Sequence, residues 1–357
     1  MKTIESTPPI SLQDYIRVTK KIKNKQFQNI TLTLRGRDAI SLALRHFGLE
    51  KQDTLLLPGY LCEVIDAPLI NKFNIEYYDI GEDFSINTKA IDAILCSRKF
   101  KVLYIIHYFG FLQKNLNQLS DICKKYGVLL WEDHAHSALS NFSFDYADAM
   151  IFSFRKILPI TDGGGLWIKN SSALKFDKLS TLYSDIISML ILLKRSKLGM
   201  SKILRAKTQR IAQTITSSTF KDYQKIKPKP ISHMSRKIIQ SIDIKNIFAI
   251  RRNMFKKWQE LLSKSRFNPV FSYLPDDACP QGFPVRIQNS AEILPHFEDL
   301  NMFVKVFWPL KSKMKALCPT AFNISKSIIT LPIYPGLLSS DMERIIRLLE
   351  QYGKPLS

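Results

Sequence analysis

The sequence of 357 residues has few cysteines and no long apolar run. Its five cysteines are odd in number and form no CxxC pair, so neither a disulfide framework nor a cysteine-ligated zinc site is indicated. The longest apolar run, Ile186–Leu193, is too short to span a bilayer, and the polar first ten residues are unlike a secretory signal. These absences favour a reduced, cytoplasmic compartment.

Two further kinds of site find no support in the sequence. The six histidines lack the spacing of metal ligands, so no metal site is predicted. No DNA-recognition motif is present, and the basic residues are not interleaved with aromatic ones beyond Tyr223. Nucleic acid is therefore not expected as a partner, although the chain is strongly basic.

The positive charge is concentrated in one part of the chain. The whole sequence has 52 Lys and Arg against 31 Asp and Glu, a net charge of +21. Between Asp185 and Arg266 there are 20 Lys and Arg against 4 Asp and Glu, a net charge of +16. Such a stretch attracts anions, among them a phosphorylated substrate or an anionic membrane. A solvated basic face is an equally good interpretation.

Short apolar runs alternate with helical patterns in the first half of the chain. This βαβ rhythm predicts an α/β fold with a parallel or mostly parallel sheet. The predicted strands are Thr54–Pro58, Val102–His107, Val128–Asp133 and Ala149–Ser153, and a helix is predicted over Leu116–Lys125 with its end at Tyr126–Gly127. Ligands of such sheets bind beyond the carboxyl ends of the strands. His107, Asp133 and Ser153 all occupy such ends.

The last third of the chain predicts a small α+β domain. A helical pattern runs from Met234 to Leu262. The elements predicted after it are strands at Gly282–Ile287, Val304–Trp308 and Ser327–Leu331, and a final helix at Ser340–Gln351 with Ser339 or Ser340 as its N-cap. Trp258 and Trp308 are assigned to the core.

Asp133 is the first residue that points to a particular chemistry. It follows an apolar strand in the segment Trp131–His136, where a carboxylate without a partner would be costly. A protonated pyridine nitrogen is a partner that would satisfy it, and the pair would keep the ring cationic and able to accept electrons. The alternative is an aspartate that only caps the next helix.

Lys156 and a run of glycines complete the pattern. Lys156 follows a strand in the segment Ser153–Lys156, where an amine made neutral by burial can form a Schiff base. Ser153 is placed to bind a phosphate. Gly163–Gly165 permit close backbone approach, although they also suit a simple hairpin turn. The three segments together are far more specific than any one of them.

With these segments in this order, the chain resembles the DegT/DnrJ/StrS family of sugar aminotransferases. The resemblance extends over roughly nine-tenths of the chain and is that of a divergent branch of the family. The stretches that carry the resemblance are GRDAISLAL (36–44), LLLPGYLC (55–62), HYFG (107–110), WEDHAHS (131–137), FSFRKILPITDGGG (152–165), RRNMF (251–255) and TLPIYPGLLSSDMERI (330–345). The resemblance implies the fold type I of pyridoxal-phosphate-dependent transferases. That fold has a mostly parallel seven-stranded sheet in a large domain and a small C-terminal α+β domain.

The resemblance also implies roles for individual residues. Lys156 would form the Schiff base with pyridoxal 5'-phosphate, Asp133 would pair with its pyridine nitrogen, and His136 would approach its ring hydroxyl. The predicted cofactor-binding residues are Lys156, Asp133, His136, Ser153, Gly36, Arg37 and Tyr60. For the residue that stacks on the ring, Tyr60 is preferred over Cys62 and His107. The implied division is an N-terminal arm at 1–30, a large domain at 31–245 and a small domain at 246–357.

The chain departs from its relatives around the phosphate. Relatives often have Gly-Thr or Gly-Ser where this chain has Gly36-Arg37, and they space the serine and lysine by five residues where here the spacing is three. Their Asn-x-Arg-Met segment, which helps to bind phosphate across a dimer, appears here at 231–234 as Ile-Ser-His-Met. An arginine at position 37 can still bind phosphate by charge-assisted hydrogen bonds.

The function expected from the sequence is therefore transfer of an amino group, from glutamate, to a keto-sugar nucleotide. Amino-sugar biosynthesis for surface polysaccharide is the expected context, and a homodimer is the expected assembly. One alternative is a degenerate member that acts as a non-catalytic binding or regulatory subunit. Another is a pyridoxal-phosphate enzyme for a membrane-linked substrate, with a weak peripheral membrane association through Ile186–Lys197.

Overall fold

The computed structural model describes residues 27–70, 72–173, 175–176, 178–195, 227–300, 302 and 304–356. Its strands are β1 (Thr31–Thr33), β2 (Thr54–Pro58), β3 (Asn74–Tyr78), β4 (Val102–Ile106), β5 (Leu129–His134), β6 (Ala149–Phe152), β7 (Gly164–Ile168), β8 (Gly282–Arg286) and β9 (Ile328–Pro332). Its helices are α1 (Gly36–His46), α2 (Glu63–Ile70), α3 (Thr88–Ser97), α4 (Leu116–Tyr126), α5 (Lys178–Arg195), α6 (His233–Ser241), α7 (Ile244–Leu262), α8 (Leu294–Asp299), α9 (Met314–Leu317), α10 (Pro319–Lys326) and α11 (Ser339–Tyr352).

Seven strands form one sheet in the order β1-β7-β6-β5-β4-β2-β3. The strands from β3 to β6 pair in parallel, whereas β7 is antiparallel to both β6 and β1. Strands β8 and β9 form a separate antiparallel pair near the C-terminus. This arrangement confirms the predicted α/β class, the mostly parallel seven-stranded sheet and the smaller α+β unit.

The predicted strands of the first half agree with the structure to within one residue at each end. Strand β2 has the predicted bounds, and β4, β5 and β6 leave His107, Asp133 and Ser153 at or just beyond their carboxyl ends. The helix predicted from Leu116 is α4, and Gly127 ends it in the left-handed conformation with φ of 67°. Apolar runs of this length, bounded by polar and glycine residues, specify strands of a buried parallel sheet.

The C-terminal predictions were less accurate. The strand predicted at Val304–Trp308 is wrong, because only an isolated bridge between Lys305 and Thr330 forms there. The helical pattern after Met234 is divided at Asp243, whose side chain accepts from the Asn246 amide and starts α7. The predicted serine N-cap of the last helix is also wrong. Leu338 occupies that position and makes no side-chain cap.

Apolar residues pack on both faces of the large sheet. On one face the core extends without a break from α1 and β2 to α7, α10 and both strands of the small sheet. On the other face β6 packs with α6 and the turn after Ser153. The large sheet and the C-terminal unit therefore share one core instead of lying apart.

The glycines at the start of β7 allow two backbone segments to approach closely. A Cβ on Gly164 would lie 2.2 Å from the carbonyl carbon of Arg35 and 2.5 Å from the amide nitrogen of Gly36. Gly163 has a φ of 143°, which favours glycine. The glycine run thus brings β7 against the start of α1, which is the physical reason for the pattern seen in the sequence.

The first half of α5 is bonded to residues that follow Lys227. The Ser184 hydroxyl, on α5, donates to the Pro230 carbonyl at 2.6 Å, and the Asp185 carboxylate accepts from the His233 amide at 2.7 Å. Pro230 also bridges to Thr33 of β1. Helix α5 and the start of α6 are therefore joined beside β1.

Some predictions lie outside these residues. The predicted basic stretch includes 196–226, and the predicted arm includes 1–26, neither of which is described. Phe27 and Ile30, at the end of that arm, are buried against the turn after β6. The division into 1–30, 31–245 and 246–357 stays a prediction. None of the described helices is long and apolar enough to cross a membrane.

Replacing Gly164 with alanine should destabilise the fold strongly, because the added methyl would overlap the Arg35–Gly36 backbone. We expect the free energy of unfolding to fall by about 3 kcal/mol or more. Gly127→Ala is the matched control, since that residue has positive φ but open space around its Cα. It should cost only about 1 kcal/mol. Urea unfolding of both variants checks this, and equal losses would contradict the close contact.

Candidate active site

Asp133 lies at the carboxyl end of β5 with both carboxylate oxygens engaged. The Tyr104 hydroxyl donates to Oδ2 at 2.7 Å, and the Ala135 amide donates to Oδ1 at 2.7 Å. Tyr104 comes from β4, which pairs with β5 so that Ile106 lies opposite Asp133. The carboxylate is buried, and burial raises the pKa of Asp133 while Lys156 acts in the opposite direction.

Lys156 ends a short 3-10 turn, Phe154–Lys156, that starts directly after β6. Its amide donates to the Ser153 carbonyl at 3.1 Å, which closes the turn. Burial lowers the pKa of the Lys156 amine, and the nearby Asp133 carboxylate partly offsets that effect. The structure therefore brings together the amine and the carboxylate that the sequence singled out, each sensing the charge of the other.

His136 presents a hydrogen-bond donor that has no partner. The Phe109 amide donates to its Nδ1 at 3.3 Å, so the proton of the neutral ring must be on Nε2. That Nε2 is buried and has no hydrogen-bond partner among the described residues. Burial, with smaller effects from Lys156 and Lys305, lowers the pKa of His136 well below its usual value. The residue is thus a neutral donor in need of an acceptor.

Gly36 and Ser153 lie side by side at the start of α1. A Cβ on Gly36 would be 3.3 Å from the Phe152 carbonyl oxygen and 3.7 Å from the Cβ of Ser153. Arg37 follows in the first turn and is buried. The predicted phosphate residues are therefore adjacent, at the positive end of an eleven-residue helix.

Asp38 also belongs to that first turn, and its side chain is tied to another segment. Its Oδ1 accepts from the Lys229 amide at 3.1 Å. Burial raises the pKa of Asp38 to about 7. Burial thus disfavours the charged form of this carboxyl, which reduces its repulsion of an anion at the helix start.

Tyr60 is fully buried between the large sheet and the C-terminal unit. Its hydroxyl donates to the Phe307 carbonyl, and its own carbonyl accepts from the Tyr108 hydroxyl at 2.6 Å. The ring contacts Phe84 and Trp308, with centroids 5.4 and 5.2 Å away. Because no face of the ring is exposed, stacking on a ligand would require the wall to rearrange. That role stays a prediction.

Trp308 was assigned to the core, but the structure places it at the site. Its ring lies 5.8 Å from the Lys156 Nζ and 5.3 Å from the His136 ring, and it is only half-buried. Trp258, by contrast, is fully buried, as predicted, and donates to the Pro332 carbonyl. Tyr104 is the other residue that the sequence reasoning missed, because its position inside an apolar run carried no polar signal.

Two buried charged residues join other segments to the chain just after Lys156. Arg251, on α7, donates to the carbonyls of Pro280 and Gln281 at 2.9 Å and to that of Ile157 at 3.4 Å. Asp162 accepts from the amide and hydroxyl of Ser232, both at 2.7 Å, at the start of α6. The residues that follow the Lys156 turn are thus tied to α7 and to the start of α6.

Below the strand ends lies a buried group of three polar residues. Glu132 Oε2 is 2.9 Å from His107 Nε2 and 3.1 Å from His134 Nε2, an arrangement with the composition of a metal site. The Gln113 amide donates to His107 Nδ1 at 2.9 Å, so the proton of neutral His107 is on Nε2. With that proton in place, Nε2 cannot bind a metal. The geometry is that of two imidazoles donating to one carboxylate.

Comparison with known proteins agrees with this arrangement. Residues 26–183 match the model of the DegT/DnrJ/EryC1/StrS aminotransferase family. The family resemblance is thereby confirmed. Two Campylobacter jejuni UDP-4-amino-4,6-dideoxy-N-acetyl-beta-L-altrosamine transaminases are 28% and 27% identical over 148 and 154 residues, which is 40% and 41% of this chain. The matches span 39% and 40% of the length of those relatives.

Solved structures resemble the chain over nearly its whole length. A Streptococcus pneumoniae protein assigned as a sugar aminotransferase, solved in its PLP form, has a TM-score of 0.69 at 15% identity and covers 98% of both chains. The Helicobacter pylori aminotransferase PseC, involved in the biosynthesis of pseudoaminic acid, has a TM-score of 0.66 at 16% identity, covering 98% of this chain and 99% of its own. At such low sequence identities the likeness shows the fold alone, which is fold type I of the pyridoxal-phosphate-dependent transferases.

The residues at the strand ends fit pyridoxal phosphate. A part-buried amine at Lys156 suits its aldehyde, the Asp133 carboxylate suits its ring nitrogen, and the unpartnered Nε2–H of His136 suits its ring hydroxyl. The start of α1, beside Ser153, suits its phosphate. These protein groups and the substituents of pyridoxal phosphate are complementary in charge and in hydrogen-bonding capacity.

The buried histidines make the fold sensitive to acid, and His134 allows a test. Burial lowers its pKa from 6.5 to about 4, so the unfolded chain binds more protons between these values. The stability contributed above pH 6.5 is lost as the pH falls toward 4. Between pH 7 and pH 5, wild type should lose about 2 kcal/mol more than His134→Gln in urea unfolding. Parallel pH profiles would contradict this.

Proposed function

We propose that this protein is a pyridoxal-phosphate-dependent aminotransferase that transfers an amino group, from glutamate, to a keto-sugar nucleotide. The observation that supports this most directly is the meeting of Lys156, Asp133 and His136 at one edge of the sheet, where burial and the neighbouring charges shift the pKa of each group. When bound, pyridoxal phosphate supplies an electron sink at the carbon whose amino group is exchanged.

Lys156 has two tasks in this proposal. Its amine would hold the cofactor aldehyde, and burial lowers the pKa of that amine, which favours the neutral, nucleophilic form. With the cofactor bound, the same amine would move a proton at the substrate carbon. The Asp133 carboxylate partly offsets the effect of burial on the pKa of Lys156.

Asp133 and His136 fix the electronic state of the ring. Asp133, oriented by Tyr104 and Ala135, would hold a proton on the ring nitrogen through its negative charge. His136 would donate from Nε2 to the ring oxygen, which would give that buried donor the acceptor it lacks. The Phe109 amide on Nδ1 prevents the histidine from presenting the wrong tautomer.

The phosphate would bind at the start of α1, among Gly36, Arg37 and Ser153. Backbone amides at a helix start attract an anion, and the buried guanidinium of Arg37 adds positive charge. Because burial raises the pKa of Asp38, the acidic residue in this first turn opposes a phosphate less than an exposed carboxylate would.

The names of the relatives and the charge of the chain support the proposed substrate. Both Campylobacter jejuni relatives are named as transaminases of a UDP-linked sugar. A net charge of +21 favours an anionic substrate such as a nucleotide diphosphate. Biosynthesis of amino sugars for a surface polysaccharide is the proposed context, with a homodimer as the proposed assembly and the cytoplasm as the proposed location.

Two other functions remain as alternatives. A degenerate homologue would retain the fold and bind partners without cofactor chemistry, which the intact Lys156 and Asp133 disfavour. A membrane-linked substrate is favoured by the exposed apolar side chains on α5, of which Leu182, Ile186 and Met189 are 55%, 54% and 48% exposed. The same face would also suit a subunit contact.

Lys156→Ala should abolish transamination, because the cofactor loses its attachment and the substrate carbon loses its base. Wild-type protein incubated with pyridoxal phosphate should show a visible absorption band that borohydride treatment removes, and the variant should not trap the cofactor. Lys169→Ala, at an exposed lysine beyond β7, is the control and should behave as wild type. A wild type without the band would favour the degenerate homologue.

Asp133→Asn should still bind the cofactor but lose turnover by about three orders of magnitude or more, because an amide cannot hold the ring nitrogen protonated. Single-turnover rates with glutamate measure this loss, and a titration of the cofactor band measures the remaining affinity. Turnover close to wild type would mean that Asp133 serves only as the local cap for Ala135.

A further inference from the structure

The segment before Trp308 connects the small sheet to the active site. Lys305 pairs with Thr330 of β9 through two backbone hydrogen bonds, of 3.2 and 2.7 Å, as an isolated bridge. Two residues later the Phe307 carbonyl accepts from the Tyr60 hydroxyl, which belongs to the large sheet side. Trp308 is therefore positioned from both parts of the molecule.

The ring of Trp308 has one property that its neighbours lack. Tyr60, Tyr108 and Phe109 are at most 1% exposed, and Phe307 is 9% exposed, so these rings fill the wall. Trp308 remains half-buried while its ring contacts Tyr60, His136 and Phe307. Part of this residue is thus exposed, and its ring centroid lies 5.8 Å from the Lys156 Nζ.

Its neighbours define where Trp308 lies relative to the chemistry. In the proposed function Lys156 and His136 serve adjacent substituents of the cofactor ring, the aldehyde and the hydroxyl. Trp308 contacts both of these residues, so it would lie at the edge of the cofactor ring where the substrate carbon must approach the Lys156 amine. At this edge the indole ring would contact the substrate more than the pyridine ring of the cofactor.

We propose that Trp308 is a specificity-determining residue that binds the sugar ring of the amino acceptor against its indole ring. A pyranose presents a face of C–H groups that packs on an aromatic ring, whereas the short chain of glutamate has no such face. This proposal rests on the proposed function and adds to it the residue that distinguishes the two substrates of one site.

The test separates the two halves of the reaction. The protein loaded with pyridoxal phosphate is mixed with glutamate in one experiment, and the aminated form of the cofactor is mixed with the UDP-keto-sugar in the other. For Trp308→Ala, kcat/KM of the sugar half-reaction should fall about 10-fold or more, as expected when roughly 60 Å² of apolar contact is lost. The glutamate half-reaction should change by less than about 3-fold, and Trp308→Phe should recover most of the loss.

A binding measurement gives a second readout that does not depend on turnover. The UDP-amino-sugar product should quench tryptophan fluorescence of the wild type, and the quenching should largely disappear in Trp308→Phe. Tyr273→Ala is the control, because that C-terminal aromatic residue is 71% exposed and remote from these contacts. It should leave both half-reactions unchanged.

The outcomes are distinct. Equal losses in the two half-reactions, or a shifted cofactor band in Trp308→Ala, would assign the ring to the cofactor pocket and overturn the proposal. Unchanged rates and unchanged quenching would return Trp308 to a packing role and overturn it as well. If wild type shows no cofactor band, the proposed function fails before any variant is compared. Thermal melting identifies a variant that is merely unfolded, in which case Trp308→Phe alone decides.

Discussion

The mutual dependence of two buried charges determines what this site can do. Burial alone would drive both Asp133 and Lys156 toward their neutral forms, and each is held back by the charge of the other. The two residues come from neighbouring strands of a parallel sheet, β5 and the end of β6, so their proximity follows from topology. Tyr104 and Ala135 then fix the carboxylate in one orientation. Any shift in the pairing of β4 with β5 would remove the Tyr104 contact and alter both charges.

A second dependence is steric. The approach of β7 to Arg35 and Gly36 leaves no room for a side chain at Gly164, and the same contact places Gly36 against Ser153. The start of α1 is thus positioned by backbone packing. Asp38, tied to the Lys229 amide, joins a third segment to this point. Three separate parts of the chain therefore converge at the start of α1.

Much of this arrangement could be predicted from the sequence, because it depends on local patterns. Apolar runs that end in a polar residue identified the ends of β4, β5 and β6, and parallel topology implied that these ends meet. Tyr104 could not be predicted, since its role depends on the register between two strands. Trp308 was misplaced for a related reason. Its segment has the alternation of a strand, but it pairs only at Lys305 before crossing to Tyr60.

The small unit also shows where local rules fail. Serine is a favoured N-cap, yet α11 begins after Leu338, whose extended backbone starts the helix without a side-chain bond. Conversely, the aspartate before α7 does form its cap and divides what the apolar pattern presented as one helix. Such choices are decided by differences of about 1 kcal/mol, which tertiary packing easily exceeds.

The fastening of α5 to Pro230 and His233 has an evolutionary consequence. Ser184 and Asp185 bond to residues that follow Lys227, so the sequence between α5 and Lys227 lies between two joined segments. Closing a loop twice as long costs only about 0.6 kcal/mol more. Changes of length in the sequence between α5 and Lys227 are therefore expected to leave these two bonds in place, whereas deletions within α5 would remove buried residues such as Ile187 and Leu192. Only the part of this region beyond α5 is expected to tolerate changes in length.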